Sequence, residues 1–351
     1  YFMLKIKVLP ANCGDCFIIS FDDGGIIKNI LIDGGVGITY KKYLKHEIEN
    51  IKKENQNIDL LIITHSHEDH INGIIKFIED NENNDCIKKI WFNSGIHFKR
   101  EKIMMLTQNS DLDISIKQIK YLEDKLVNMK FMGENIWNKE VIQQGFIENF
   151  NNGKITVLSP NKYGLKKLED FTQETDDLMI TGKNYDYSTK LVDFDLNNFE
   201  EDCSIENSTS ISILFEYSDK KLLFLADSTP SIIIEGLVKT NALASNKKID
   251  FVKLSHHASK NNLNDQLLQS IECENYIIST HGKCANKLPN KETFARIIKH
   301  FKSINLYFNY KNDIIEKIFS NDELSGDKHN VNITYLSENN YEIEVVDDNK
   351  K

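Results

Sequence analysis

Arginine is almost missing from this chain: of 351 residues, only Arg100 and Arg296 carry a guanidinium. Bidentate clamps on phosphate are therefore scarce. The formal net charge of −10, with a pI near 5.6, argues against broad, sequence-independent binding to nucleic acid, which rests on clustered Lys and Arg. The pairs Lys41-Lys42, Lys88-Lys89, Lys166-Lys167 and Lys247-Lys248 are candidates for a local basic patch, and each reads as a solvated surface pair. No apolar run approaches the roughly 18 residues that a membrane-spanning helix needs, so no membrane association is expected. The opening Tyr1-Phe2-Met3-Leu4 sets no charged region ahead of a long apolar core, so no secretory signal is expected either. A second Cys-x-x-Cys pair is lacking. Cys13 and Cys16 alone make a poor structural zinc site, and they precede a strand where a redox motif would open a helix. With Cys86, Cys203, Cys273 and Cys284, they are expected to be reduced thiols of a cytoplasmic protein. No internal repeat is evident.

What remains is a globular composition, 40% hydrophobic and 27% charged. Leu4 to Val8, Phe17 to Phe21 and Ile26 to Ile32 read as strands, the last two joined through the turn Asp22-Asp23-Gly24-Gly25. Apolar residues at Tyr43, Leu44, Ile48 and Ile51 give Tyr40 to Lys53 a helical spacing. Ile87 to Asn93, Ile155 to Leu158 and Asn305 to Tyr310 are further strands, and Glu292 to Phe301 is a helix. Residues 99–150 read as inserted helices. Between Glu169 and Glu206 stand twelve Asp or Glu and only two lysines, which marks 165–206 as an acidic loop insertion, either a lid or a solvated loop. Val331 to Leu336 and Tyr341 to Val346 alternate and are separated by a short polar turn, so a terminal hairpin is expected.

The densest chemistry lies in Thr64-His65-Ser66-His67-Glu68-Asp69-His70, at the end of the buried strand Leu60-Leu61-Ile62-Ile63. Three imidazoles and a carboxylate fall within six residues of a chain that has only ten histidines. Imidazole nitrogen with carboxylate oxygen suits zinc and its neighbours. In a turn just past a strand, His65 and His67 point at one ion while Asp69 and His70 curl toward a second. His97 faces the same edge and reads as a loop histidine.

The run His-x-His-x-Asp-His followed by Ile71-Asn72-Gly73 resembles the metal-binding motif of the metallo-β-lactamase superfamily. Leu31-Ile32-Asp33-Gly34-Gly35 resembles its first motif, Leu222 to Asp227 the strand bringing a metal-bridging carboxylate, and Phe251 to Ser259 the later strand ending in a ligand histidine. Asn12-Cys13-Gly14-Asp15-Cys16 is similar to the Gly-Asp turn of the soluble domain of competence DNA-uptake (ComEC-like) proteins. Asn207-Ser208-Thr209-Ser210 fits the same branch, where other members have a third-motif histidine, and so does His256-His257, although Ala258 stands in place of a glycine. Leu288 occupies the position of a later family histidine, for which His281 is the candidate replacement.

The resemblance implies an α/β, four-layer αββα sandwich over 3–351. It also implies a metal centre, most simply two zinc ions, with manganese as the alternative if Asn207 leaves the first position oxygen-rich. One ion would use His65, His67 and a third donor. The other would use Asp69, His70 and His256 or His257, with Asp227 bridging. Asp33 and Thr64 would support the loop. Two such cations would supply a nucleophile at neutral pH for attack on phosphorus or carbonyl carbon. The expected function is a phosphodiesterase or nuclease acting on nucleic acid or another phosphodiester. The alternatives are a hydrolase of a small ester, lactone or nucleotide signal, and a component active only with protein partners in an antiviral-defence or DNA-processing assembly.

Overall fold

The computed structural model describes residues 3–94, 112–170, 184–326, 329–336 and 340–346. The amino-terminal strands form as the alternation and turn chemistry dictate: β1 (Leu4–Val8), β2 (Phe17–Asp22) and β3 (Ile27–Ile32) make an antiparallel meander. β4 (Leu60–Ile63) and β5 (Ile90–Phe92) then add in parallel. β4 is buried at all four positions, as an unbroken apolar run in a parallel sheet must be. Residues 130–135 hold a small pair, β6 (Lys130–Phe131) and β7 (Glu134–Asn135).

The second sheet begins with β8 (Ile147–Asn149), β9 (Gly153–Ser159), β10 (Ser212–Tyr217) and β11 (Lys220–Phe224), all antiparallel. It continues in parallel through β12 (Phe251–Lys253), β13 (Asn275–Ile278), β14 (Ser303–Phe308) and β15 (Asn330–Tyr335). Phe17, Phe21, Ile155, Phe215 and Phe224 interdigitate between the sheets, with the Phe21 and Phe215 rings 5.0 Å apart. Helices Lys45–Lys53 and Glu68–Glu79 cover the outer face of the first sheet with Ile48, Ile71, Ile74 and Phe77. Pro230–Thr240, Asp265–Ser270 and Lys291–His300 cover the second with Ile233, Leu267, Leu268 and Phe294. The order of layers is helix, sheet, sheet, helix, as expected.

Three expectations change. The terminal hairpin does not form: β15 pairs with β14 in the second sheet, whereas β16 (Glu342–Glu344) crosses to the first and pairs with β1. Alternation gave both strands correctly but carries no information about which edge each one joins. The segment expected as inserted helices contains one helix among its described residues, Leu112–Leu126, followed by the β6–β7 pair and β8, which belongs to the main sheet. The acidic stretch is no free loop over 184–206. Tyr185 and Tyr187 donate to the carbonyls of Gly282 and Pro289, the Asp186 carboxylate accepts from the amides of Lys291 and Glu292, and Arg296 donates to the carbonyls of Leu196 and Asn198. Residues 171–183 of that stretch lie outside the described residues.

The cysteines also differ from expectation. Cys13 is joined to Cys284 by a disulfide across 271 residues, and Cys16, Cys86, Cys203 and Cys273 are free. The expectation of reduced thiols therefore fails for two of the six: Cys16 is buried in the core, whereas Cys13 meets Cys284 in the loop after β13. No helix among the described residues is long and apolar enough to cross a membrane. Denatured without reductant, the protein is expected to titrate as four thiols per chain, and as six after reduction. A count of six before reduction overturns the pairing.

Candidate metal centre

Strands from both sheets end at one edge, and their ends supply the site. Asp33 follows β3, Thr64 and His65 follow β4, Asp227 follows β11, and the two adjacent histidines follow β12. The chain after β4 turns straight into helix Glu68–Glu79, with His67 at its N-cap and Asp69 and His70 in its first turn. This turn fits because glycine meets glycine: a Cβ on Gly73 would lie 1.8 Å from the Gly34 carbonyl oxygen, so the helix seats directly on the loop after β3. Gly14 does the same on the other side, where a Cβ would lie 1.6 Å from the Asp69 carbonyl oxygen. The motif glycines are therefore close-approach residues.

Asp33 is buried at the base. Its carboxylate accepts from the Thr64 amide (2.8 Å), the Thr64 hydroxyl (2.6 Å) and His70 Nδ1 (2.8 Å). With the Thr64 hydroxyl proton committed to Asp33, its oxygen accepts from His65 Nδ1 at 3.0 Å. His257 Nδ1 donates to the Ser279 carbonyl at 2.9 Å, and His256 Nδ1 to Asn262 Oδ1 at 3.1 Å with Asp202 Oδ2 at 3.3 Å. Each Nδ1 faces an acceptor, so each Nε2 turns its lone pair inward, the arrangement in which histidine binds metal.

The four Nε2 atoms converge on one oxygen. Asp227 Oδ2 lies 3.8 Å from His65, 3.5 Å from His70, 4.0 Å from His256 and 3.7 Å from His257. Ligand atoms of His65, His67 and Asp227 form one tight group, and those of Asp69, His70 and His257 another. The Nε2 atoms of His65, His70 and His257 and Oδ1 of Asp227 are buried without a hydrogen-bond partner among the described residues. Orphaned polar atoms of this kind are costly unless something fills the space between them. Imidazole and carboxylate donors in these two groups, with Asp227 of the first also within 3.7 Å of His70 and His257 of the second, fit two divalent ions.

Of the residues expected at the site, His65, His67, Asp69, His70 and Asp227 come together. His257 joins Asp69 and His70, with Asp69 Oδ2 3.5 Å from its Nε2. His256, the residue favoured by its order in the motif, stands outside both groups. Both histidines have positive φ (44° and 54°), and both turn Nε2 toward Asp227 Oδ2, at 4.0 Å for His256 and 3.7 Å for His257. Asp33 and Thr64 hold the ligand loop. Asn207 is buried and donates to Asp202 at 2.6 Å, so it supports His256 indirectly. His281 does not reach the centre; its amide donates to the Asn12 carbonyl at 2.6 Å and its ring packs edge-on against Tyr310. His97 lies outside the described residues. Asp15, Lys253, Asp202 and Asn262 also contact the ligands and were missed. Asp15 and Lys253 sat inside recognised motifs, while Asp202 was hidden among the other acidic residues of its stretch.

Without cations, the carboxylates hold protons on the imidazoles. Burial alone would lower His70 and His257, but Asp227 with Asp69 and Asp33 keeps His70 well above the ordinary histidine value, and Asp227 with Asp15 lifts His257 to about 9. Burial lowers His65 and His67, which are thus ready as neutral donors. Asp227 would be raised by burial, yet His70 and His257 hold it well below the carboxylate range.

Residues 14–145 match the sequence model of the metallo-β-lactamase superfamily, which supports that resemblance. Comparison with curated proteins gives no match. Among solved structures, YhfI, a metallo-β-lactamase fold protein from Bacillus subtilis, is 11% identical with a TM-score of 0.45, over 98% of this chain and 100% of that one. CmlA, a diiron β-hydroxylase from Streptomyces venezuelae, is 11% identical with a TM-score of 0.38, over 98% of this chain and 54% of its own, so this chain spans about half its length.

Metal uptake should displace the protons on His70 and His257. Filling both positions at pH 7 is expected to release about two protons per chain. Apparent affinity should rise with pH through the range in which His70 and His257, both raised above the ordinary histidine value, lose their protons. Titration calorimetry in buffers of different ionisation enthalpy measures the release. Metal analysis should find two equivalents, and uptake without proton release would overturn the assignment.

Proposed function

We propose that this protein is a dinuclear metallohydrolase of phosphodiesters, with zinc as its metal and a nuclease or related phosphodiesterase as its activity. The observation that carries the reading is the single carboxylate oxygen Asp227 Oδ2, which belongs to the His65–His67 group and lies 3.5 and 3.7 Å from His70 and His257 of the other. His65, His67 and Asp227 would hold one ion, and Asp69, His70 and His257 with Asp227 the other. Once bound, two such cations supply a nucleophile at neutral pH and neutralise charge developing on phosphoryl oxygens, which makes an arginine finger unnecessary. That agrees with a chain almost devoid of arginine. The competence-type resemblance, in the Gly14-Asp15 turn and His256-His257, favours phosphodiesters among the substrates such centres take.

The protein's own contribution is positional. Asp33 and Thr64 fix the tautomers of His70 and His65, and the Ser279 carbonyl fixes that of His257. Asp69 is the one carboxylate of the two groups with substantial exposure, 32% of its side chain, so it faces the entrance. There it can bind an ion and orient the attacking group at the same time.

A second reading has its own support. Glu206, half-exposed, lies close enough to His67 to act on it electrostatically, and a polyanion approaching that side meets repulsion. A small phosphodiester carries one charge and suffers less. Two substrates separate the readings: plasmid DNA and a chromogenic phosphodiester, each with zinc or manganese. Turnover of the small ester alone selects the small-molecule reading, and hydrolysis of neither overturns both. Asp69→Ala is expected to lower turnover by on the order of 10³-fold while leaving the circular dichroism spectrum unchanged. Retained turnover argues against the dinuclear assignment.

A further inference from the structure

Lys253 is an unusual residue in this setting. It ends β12, its side chain is 0% exposed, and it faces the metal centre from below. Its Nζ pairs with Asp15 Oδ2, donates to the Ala226 carbonyl at 3.1 Å and lies 3.9 Å from Asp227 Oδ1. Asp15 is 1% exposed, and its other oxygen is 3.4 Å from His257 Nδ1. The Asp15 carboxylate also lies in a tight group with ligand atoms of His70 and Asp227. By position it is a ready third carboxylate for an ion, yet it is committed to an ammonium.

Charge explains the commitment. Five carboxylates lie within 4.0 Å of an imidazole nitrogen of the centre: Asp15, Asp33, Asp69, Asp202 and Asp227. Buried charge of that density must be cancelled nearby. Two divalent ions cancel four of the five, and Lys253 cancels the fifth. Without Lys253 the centre would carry an excess negative charge, with Asp15 free to bind an ion or take up a proton.

We propose that Lys253 is a permanent third cation of the metal centre, and that its pair with Asp15 keeps that carboxylate off the ions and sets the demand of the centre at two divalent cations. Both are positioning residues. The proposal rests on the metallohydrolase reading for the identity of the ions, whereas the pair itself can be tested without them.

The test is a double-mutant cycle of Asp15→Asn and Lys253→Met, read by melting temperature with and without zinc and by metal analysis. In metal-free protein, Lys253→Met strands a buried carboxylate and is expected to lower the melting temperature by on the order of 10 °C. The double variant should recover most of that loss. Zinc should raise the melting temperature of Lys253→Met by more than it raises that of the parent, because Asp15 becomes a donor. Asp15→Asn alone leaves Lys253 uncompensated and should weaken zinc binding by tenfold or more, with the double variant returning toward the parent. Should Lys253→Met not fold, the comparison of Asp15→Asn with the double variant still decides. Additive losses around the cycle, or unchanged zinc binding in Asp15→Asn, overturn the proposal. A parent protein that takes up no zinc or manganese while the metal-free cycle shows coupling would instead overturn the metal reading and leave the pair standing.

Discussion

One oxygen atom, Asp227 Oδ2, organises the molecule. Four imidazole nitrogens surround it at 3.5–4.0 Å, two from the first sheet and two from the second. The aromatic core between the sheets would hold them together whatever lay at their edge. It does not dictate that five carboxylates and five histidines meet there. That gathering is tolerable only because each charge has a partner: Asp33 against His70, Asp202 against His256, Asp15 against Lys253. The seam between the sheets is thus apolar along its length and ionic at its mouth. Of these pairs, Asp15 with Lys253 is the one that joins the first sheet to the second.

The backbone stores strain at this mouth. Asn12, Asp33, Ala226, His256, His257 and Ala258 all have positive φ, a conformation that costs a non-glycine residue about 1–2 kcal/mol. Asn12 lies in the loop between β1 and β2, and the others sit just past strands that feed the centre. Strand geometry alternates side chains between faces, and a left-handed residue resets that alternation so that consecutive rings can face one point. The resemblance expected a glycine at 258. At φ 65° the reason is apparent, and Ala258 meets the same demand at a cost the surrounding core absorbs.

Much of this was legible in the sequence, for physical reasons that differ from element to element. The strand Leu60–Ile63 and its metal loop were legible because a buried parallel strand must be continuously apolar and because clustered imidazoles are rare. The helix Lys291–His300 was legible from the spacing of Phe294 and Ile297. Boundaries drifted by about two residues where pairing partners decide them, as for β14, which begins at Ser303 where Asn305 was expected. The parting of β15 and β16 was not legible, since both strands alternate alike and only the packing selects an edge. That His257 and not His256 groups with Asp69 and His70 was also hidden, because the two rings are adjacent in the sequence and only the fold places them. Asp202 could not be told from its acidic neighbours, for its role comes from burial and from Asn207 and Asn262 donating to it. Lys253 reads as any lysine near a strand end; only its burial makes it a charge of the site.

The disulfide between Cys13 and Cys284 has a mechanical consequence. It closes the chain from Cys13 to Cys284 into a covalent ring, with the segments before and after it left outside as arms. A machine that threads proteins from a terminus could strip an arm, including β1 or the three last strands, but would then meet the crosslink. Beyond that point it would have to draw two strands through its pore side by side, or wait for a thiol to open the bond. The residues that could hold a metal all lie inside the ring. Their segment of the fold is therefore shielded from end-on pulling by a bond, independently of how stable the fold is.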